Sequence, residues 1–324
     1  MSRLLLAELN RLRSRRLTWV ALVLVALALA LMQLAVFYSV RPLSAAELAE
    51  GQVQYQQAQQ EFEQNRAQYE EAEKQCVDQG NTPEMCHYEP RPEDFAPRAV
   101  VSFNEITSIV VTVGVFLVTL AFLFLGASFI GAEYSSGALA NWLSFIPERG
   151  KVFASKLLAL VLTAAVVTAV ATALSVAVAA LLSRSLDAEV TGVGKLFEMG
   201  GRGVVIGVIG AVLGFALAML TRHTIAATGI VLGYLFVSFV LSILTNAIES
   251  LQAIKRWLPE NNVLAFLNHG HTYQVYVTTI TDQGTQQNSA DRTITFAASA
   301  GYWSVIVLVV VGATFALFRR RDVN

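Results

Sequence analysis

Six stretches of the chain are apolar almost without interruption, and each is long enough to cross a membrane as a helix. An α-helix rises about 1.5 Å per residue, so about 20 apolar residues cross the hydrocarbon core. The first stretch runs for 22 residues without a charge, longer than the apolar core of about 7–15 residues in a cleavable signal peptide. The pattern therefore predicts six retained spans, at residues 17–38, 99–132, 157–183, 203–221, 225–248 and 298–318.

The segment before the first span also has a helical pattern. Residues 1–16 contain five arginines and one glutamate, and the leucines at 4, 5, 9 and 12 fall on one side of a helix. This is typical of an amphipathic helix on the membrane surface. A bare cluster of positive charge that orients the first span is the alternative interpretation.

Residues 39–98 form a large polar block. An apolar residue recurs every seventh position from Leu48 to Cys76. This predicts one long helix over 43–75 with a narrow apolar stripe along one face, here called the seam. The seam is expected to pack on the returning segment or on another subunit. Cys76 and Cys86 flank the turn-forming sequence Gly80-Asn81-Thr82-Pro83. If the block is extracytoplasmic, a disulfide is favoured over a metal site, because His87 is the single further ligand nearby.

The second large polar block covers residues 249–297. Leu251–Leu267 has an amphipathic pattern, and the stretches 273–281 and 292–296 are rich in β-branched and aromatic residues, which predicts a β-hairpin. The predicted fold class is an all-α membrane protein with six transmembrane helices. An N-terminal interfacial helix, a disulfide-bearing helical insertion between spans 1 and 2, and a small helical and β-hairpin segment between spans 5 and 6 complete it.

Composition agrees with a membrane protein, and the distribution of charge predicts its orientation. Residues are 55% hydrophobic and 15% charged, where soluble domains carry about 25% charged residues. The N-terminus, the loop at 133–156, the link at 221–224 and the tail at 319–324 hold 12 Lys and Arg against four acids, whereas the other side holds 11 against 20. Basic loops stay in the cytosol, so both termini are expected there.

Several chemistries are missing from the spans. The middle of each span lacks charged residues, which argues against an ion-coupled transporter, and the histidines lie outside the spans or at their edges. Gly194-Lys195 is not a phosphate loop, because Leu196 follows it and position 189 is Glu. We therefore expect no catalysis and no bound cofactor on this chain. The fourth span instead has a glycine face that favours close helix packing over a ligand site, at Gly203, Gly207, Gly210 and Gly214.

The loop at 133–156 has its own short helical pattern. Leu139, Trp142, Leu143 and Ile146 fall on one helix face; Ser135 or Ser136 can cap its start, and Pro147 ends it. Together with Glu133, Gly137, Arg149 and Lys156, these residues resemble the first cytosolic loop of the permease subunit of a bacterial type-2 ABC exporter. That loop carries a Glu, a Gly-small-Leu element, a Pro-x-Arg element and a Lys in this order.

The resemblance implies a half-transporter in a bacterial plasma membrane. Two copies of a cytosolic ABC ATPase would bind ATP and Mg²⁺, and a second permease, identical or related, would complete the assembly among membrane lipids, with no nucleic acid. The 136–146 helix would be the coupling helix, with the apolar face of Leu139 and its neighbours in an ATPase groove. Glu133 and Arg149 are expected to be exposed and worth under about 1 kcal/mol each. The alternative is a positive-inside turn with Trp142 as an interfacial anchor.

The cargo suited to apolar spans is a drug, peptide or lipid. A non-transporting sensor or assembly protein that binds an envelope partner through its outer segments is the alternative function. A passive facilitator is the third.

We predict a Cys76–Cys86 crosslink within one chain, detected by non-reducing electrophoresis. The thiols should react with a membrane-impermeant maleimide only after reduction, because the pair closes a short turn on the outer side. Labelling of both thiols in unreduced cells would contradict this.

Overall fold

A computed structural model of the chain describes residues 2–41, 43–78, 82–95, 103–185, 190–281 and 284–320. Three sequence predictions fall elsewhere. The turn residues Gly80 and Asn81, the expected start of the second span at Ala99 and the tail from residue 321 lie outside the described residues.

Six long apolar helices dominate the described part of the chain. They have at least 23 residues each, so each is about 35 Å or more in length and exceeds the hydrocarbon thickness of about 30 Å. The predicted six-span, mostly helical class is confirmed by these helices: α2 (Arg16–Val40), α7 (Phe103–Ser135), α9 (Arg149–Ser185), α10 (Val193–Thr221), α11 (Thr224–Ala247) and α13 (Phe296–Arg320).

Shorter elements precede, connect and follow these helices. They are α1 (Ser2–Ser14), α3 (Ala45–Gln64), α4 (Arg66–Asp78), α5 (Pro83–Cys86), α6 (Pro92–Phe95), α8 (Ala138–Phe145), a 3-10 helix (Glu249–Trp257), α12 (Pro259–Leu267), β1 (Gly270–Thr281) and β2 (Gly284–Thr295). The chain forms two compact units, of which the smaller is made of residues 34–102 and 185–187.

The smaller unit is a helical insertion closed by a disulfide. Its first helix, α3, starts with a capping box between Ser44 and Glu47, which satisfies free backbone N–H groups. The prediction of one continuous helix over 43–75 is wrong, because the chain breaks at Asn65 between α3 and α4. The Cys76–Cys86 disulfide is present, with the two Cα atoms 5.7 Å apart.

The apolar seam predicted for the insertion packs on the returning segment of the same unit. The rings of Phe62 and Tyr69 lie 5.1 Å apart across the break between α3 and α4. Tyr88 stacks on Tyr69 at 5.7 Å, and Tyr55 contacts Phe95 at 5.9 Å. The seam is thus largely used within the unit, where aromatic pairs add stability beyond their buried area.

The larger unit is built around α10, the most buried of the six long helices. Its glycine face lies against neighbouring helices. A Cβ on Gly210 would stand 2.7 Å from the carbonyl oxygen of Thr119 in α7, and one on Gly214 would meet the Leu123 carbonyl. Gly203 faces Val115 of α7, whereas Gly207 faces Thr168 of α9. Small residues therefore allow the backbones of α7 and α10 to touch.

Apolar side chains form two core clusters within this unit. One contains Leu12, Phe129, Leu139, Phe153 and Phe318, so it joins α1, α7, α8, α9 and α13. The other lies among the opposite ends of the long helices and includes Leu196, Phe266 and Trp303. The first cluster brings the N-terminal helix, the loop around α8 and the end of α13 to the same end of the unit.

The hairpin predicted between α12 and α13 is present but longer than expected. β1 pairs antiparallel with β2, in a register that joins Gly270 to Thr295 and Thr281 to Gly284. Residues 284–291, expected to be loop, belong to the second strand. Antiparallel backbone pairing continues through these polar residues, because the ladder is made of main-chain hydrogen bonds.

We expect Gly210→Ala to destabilise the protein by about 1–3 kcal/mol, because the new methyl group must displace the α7 backbone. Thermal unfolding of the purified protein in detergent measures the change. Gly229→Ala in α11 is the matched control, since a Cβ there meets nothing within 4 Å. Equal midpoints for the two variants would contradict close packing at Gly210.

Candidate functional site

The candidate site surrounds α8, the short helix between α7 and α9. The chain leaves α7 at Ser135 and turns at Gly137, whose φ of 69° is in the left-handed region that favours glycine. The expected capping of α8 by Ser135 or Ser136 is wrong. Both hydroxyls donate back into α7, to the carbonyl of Ala132, and so close its last turn instead. Ile146 and Pro147 follow the end of α8.

The predicted apolar face of α8 packs mainly on this chain. Leu139 is fully buried, and Leu143 and Ile146 are half-buried against the same core cluster. Leu139 therefore does not lie at the surface of this chain where a partner could contact it. The large apolar side chain that α8 presents to solvent is Phe145, which is 86% exposed. Amphipathic spacing identified an apolar side but could not say whether this chain or a partner covers it.

Two predicted site residues, Glu133 and Lys156, form the centre of a buried ion cluster. Lys156 is fully buried, with its Nζ 2.6 Å from Glu133 Oε2 and 2.8 Å from Glu8 Oε1. The expectation that Glu133 is exposed is wrong, since only 6% of it is accessible. Burial of such ions costs several kcal/mol each, and only close opposite charges and hydrogen bonds offset that cost.

Arginines of the N-terminal helix and of the residue after it complete the cluster. Arg11 reaches Glu133 Oε1 at 3.1 Å, and its guanidinium lies 5.5 Å from the ring centre of Trp142. Arg15 lies 5.5 Å from the ring of Phe129 and donates to the Ser128 carbonyl at 3.3 Å. Burial lowers the pKa of the Arg15 guanidinium below its ordinary value, and the Glu133 carboxylate opposes this. An arginine remains charged at physiological pH.

Glu8, Arg11 and Arg15 were absent from the site predicted from the sequence. Glu8 is the single acid among the first 16 residues, which was a usable signal, because an acid within a basic amphipathic helix needs a reason to be there. In the structure Glu8 is 2% exposed and is bonded to Lys156 across 148 positions of sequence. Such a pairing cannot be read from local spacing.

Arg149, at the first position of α9, ties the loop to the last helix. Its guanidinium donates to the carbonyl oxygens of Phe318 and Arg319, at 3.3 Å each. These carbonyls are at the C-terminal end of α13, where a cation is favoured by the free C=O groups and by the helix dipole. Arg149 is half-buried, whereas it was expected to be exposed. Its two hydrogen bonds attach the start of α9 to the end of α13.

The assembled site holds α8 at both ends. Glu133 precedes it on α7, Lys156 follows it on α9, and both bind α1. The four predicted glycines pack within the bundle, and the predicted disulfide belongs to the smaller unit. Within the described ranges, three metal-ligating side chains do not converge anywhere. The arrangement joins α1, α7, α9 and α13 at one end of the larger unit.

Comparison with known proteins gives one match. A family model described as ABC-2 family transporter protein matches residues 4–323, nearly the whole chain. No curated protein and no solved structure matches significantly.

We expect Lys156→Met to destabilise the protein by about 3–5 kcal/mol, because Glu8 and Glu133 then remain buried without their shared cation. Unfolding in detergent, followed by tryptophan fluorescence, measures the loss. Lys151→Met is the control, since its pair with Glu148 is exposed and worth under about 1 kcal/mol.

A second variant separates the loss of pairing from the loss of packing. Adding Glu8→Gln and Glu133→Gln to Lys156→Met removes the stranded charges and should restore most of the lost stability. A triple variant no more stable than Lys156→Met alone would show that the charges are not the cause.

Proposed function

The chain belongs to the ABC-2 family of transporter proteins, and we propose that it is the permease of an ATP-driven exporter in a bacterial plasma membrane. Family membership makes it a membrane subunit of an ABC transport system, a class that works with an ATPase subunit. In the proposed assembly, two cytosolic ATPase chains bind ATP and Mg²⁺, and two permeases, identical or related, form the translocation path between them.

Charge density supports an orientation with α1, α8 and the end of α13 in the cytosol. The segments assigned to that side carry 12 basic and four acidic residues. α1, α8 and the end of α13 also share one core cluster through Leu12, Leu139 and Phe318, which is consistent with one side of the membrane. A cytosolic ATPase would then meet this end of the permease.

The proposal depends on one observation: the end of α8 is exposed, whereas its start is packed into the core of this chain. Phe145 is 86% exposed, and Asn141, four positions earlier on α8, is exposed on the same side. Ser144 and Glu148, close by in the chain, are also exposed. An aromatic ring on a polar rim suits insertion into a groove of a partner, where such anchors supply most of the binding energy. The docking surface is therefore proposed to be centred on Phe145, with Leu139 supporting it from inside.

The ion cluster connects this proposed docking surface to the transmembrane helices. α8 contacts the cluster through Trp142, whose ring lies 5.5 Å from the Arg11 guanidinium. Arg11 pairs with Glu133 of α7, and Glu133 pairs with Lys156 of α9, so a displacement of α8 would reach both helices through the cluster. Breaking the buried pair is costly, so α1, α8 and the adjoining ends of α7 and α9 are expected to move as one body. ATP-driven motion of the partner would thereby reach the membrane helices.

Exposed apolar surface on the long helices supports a second permease and an apolar cargo. On α11, Phe236 and Phe239 are 68% and 65% exposed, and α2 is the least buried span. Lipid or a second permease can cover these faces. A path lined by such surfaces suits a drug, peptide or lipid.

We predict that Phe145→Asp weakens the complex with the ATPase at least about tenfold, because a charge replaces the aromatic anchor at the interface. Co-purification of the permease with the ATPase subunit of the same transport system, with binding and ATPase stimulation measured, tests this. Phe145→Leu, which keeps an apolar side chain, should retain most of the binding.

Leu139→Asp separates docking from folding. That buried residue should lower the yield and the thermal stability of the permease itself, whereas Phe145→Asp should leave the unfolding midpoint nearly unchanged. Unaltered ATPase binding by Phe145→Asp, or transport in liposomes without any ATPase, would overturn the proposed function.

A further inference from the structure

A polar cavity of about 320 Å³ lies at the end of the larger unit away from the ion cluster. It lies between the last turns of α11, the 3-10 helix, the start of α12 and strand β1. α11 begins beside Gly131, next to the ion cluster, so its far end at Ala247 is on the other side of the spans. The volume of the cavity is near the lower end of the range for small-molecule sites, about 300–1,000 Å³.

Lys255 supplies a positive charge to this cavity. The residue is only 7% exposed, and its ammonium donates to Asn246 Oδ1 at 2.8 Å and to the Gln274 carbonyl at 2.9 Å. An ammonium has three N–H donors, and the third finds no hydrogen-bond acceptor in the described part of the chain. Both partners are neutral, so the buried positive charge is solvated but not balanced. An anionic oxygen of a ligand would accept the third hydrogen bond and balance the positive charge of Lys255.

Glu260 supplies a negative charge to the same cavity. Its carboxylate accepts hydrogen bonds from Ser238 Oγ at 2.6 Å and from Tyr234 Oη at 3.1 Å. Among the residues described, no Lys, Arg or His lies within ion-pair distance of it. A carboxylate can accept about four hydrogen bonds, so capacity for a ligand ammonium remains.

The two charges line one cavity without pairing with each other. A purely structural pair would be expected to close to contact, as Lys156 and Glu133 do at 2.6 Å. Here neutral side chains hold each charge in place instead. A ligand that carries an ammonium and an anion within one small group matches this arrangement.

We propose that the cavity binds a phosphoethanolamine group, with phosphate oxygens at Lys255 and the ammonium at Glu260. The cavity lies where α11 ends and where Trp257 is 63% exposed, which is the position of lipid headgroups and of aromatic anchors at a membrane boundary. The same group occurs on a membrane lipid and on a dissolved molecule. The site is separate from the proposed docking surface and does not depend on it.

Binding to the purified full-length protein in detergent tests the proposal. Isothermal titration uses dihexanoyl-phosphatidylethanolamine, its phosphatidylglycerol counterpart and free phosphoethanolamine as probes. Lys255→Gln and Glu260→Gln should each weaken phosphatidylethanolamine binding at least about tenfold, because each removes one charge-assisted contact. Arg256→Gln is the matched control, since Arg256 is exposed beside Trp257 and outside the cavity lining.

The probes distinguish the source of the ligand and can refute the site. Equal binding of free phosphoethanolamine supports a dissolved ligand, and binding of the lipid alone supports a headgroup site. Unchanged affinity in Glu260→Gln, or phosphatidylglycerol binding as tightly as phosphatidylethanolamine, overturns the proposal. If Lys255→Gln does not fold, the isosteric Glu260→Gln decides. ATPase binding is not involved, so this result and the test of Phe145 are independent.

Discussion

The arrangement of the candidate site depends on one buried cation. Lys156 is fully enclosed, and its ammonium bridges Glu8 on α1 and Glu133 on α7 at 2.8 and 2.6 Å. Three elements that are distant in sequence therefore meet at one point, because a buried charge without partners would cost several kcal/mol. α8 lies between Glu133 and Lys156 in the chain, so its position follows from this cluster. Arg149 adds α13 to the same assembly.

Close helix packing makes the base of this assembly firm. The glycine face of α10 brings its backbone against α7, and α7 carries Glu133 at its end. A helix held along its length by backbone contact transmits movement with little internal give, since packed interiors are hardly compressible. The ion cluster therefore connects the region of α8 to the end of α7, and the glycine face connects α7 to the middle of the bundle.

The candidate site shows where sequence patterns stop being informative. Glu133, Arg149 and Lys156 were identified by the resemblance to a permease loop, but their burial and partners were not, because an ion pair between positions 8 and 156 has no local signature. Phe145 was passed over since it falls outside the apolar spacing of Leu139 and Leu143. In the structure, Leu139 and Leu143 of the periodic pattern pack into this chain, whereas Phe145, outside the pattern, is exposed. Glu8 was the one missed residue with a signal in the sequence.

The sequence by itself determined the spans, the packing residues of α10, the cysteine pair and the existence of a hairpin. Each depends on local composition or on a fixed repeat, since helix length, glycine spacing and turn residues act over a few neighbouring positions. Tertiary structure alone decided which side of α8 is covered, that Glu133 is buried, where α3 ends at Asn65 and that Lys255 and Glu260 share a cavity. These features depend on contacts between distant elements, where desolvation and close packing outweigh local preference.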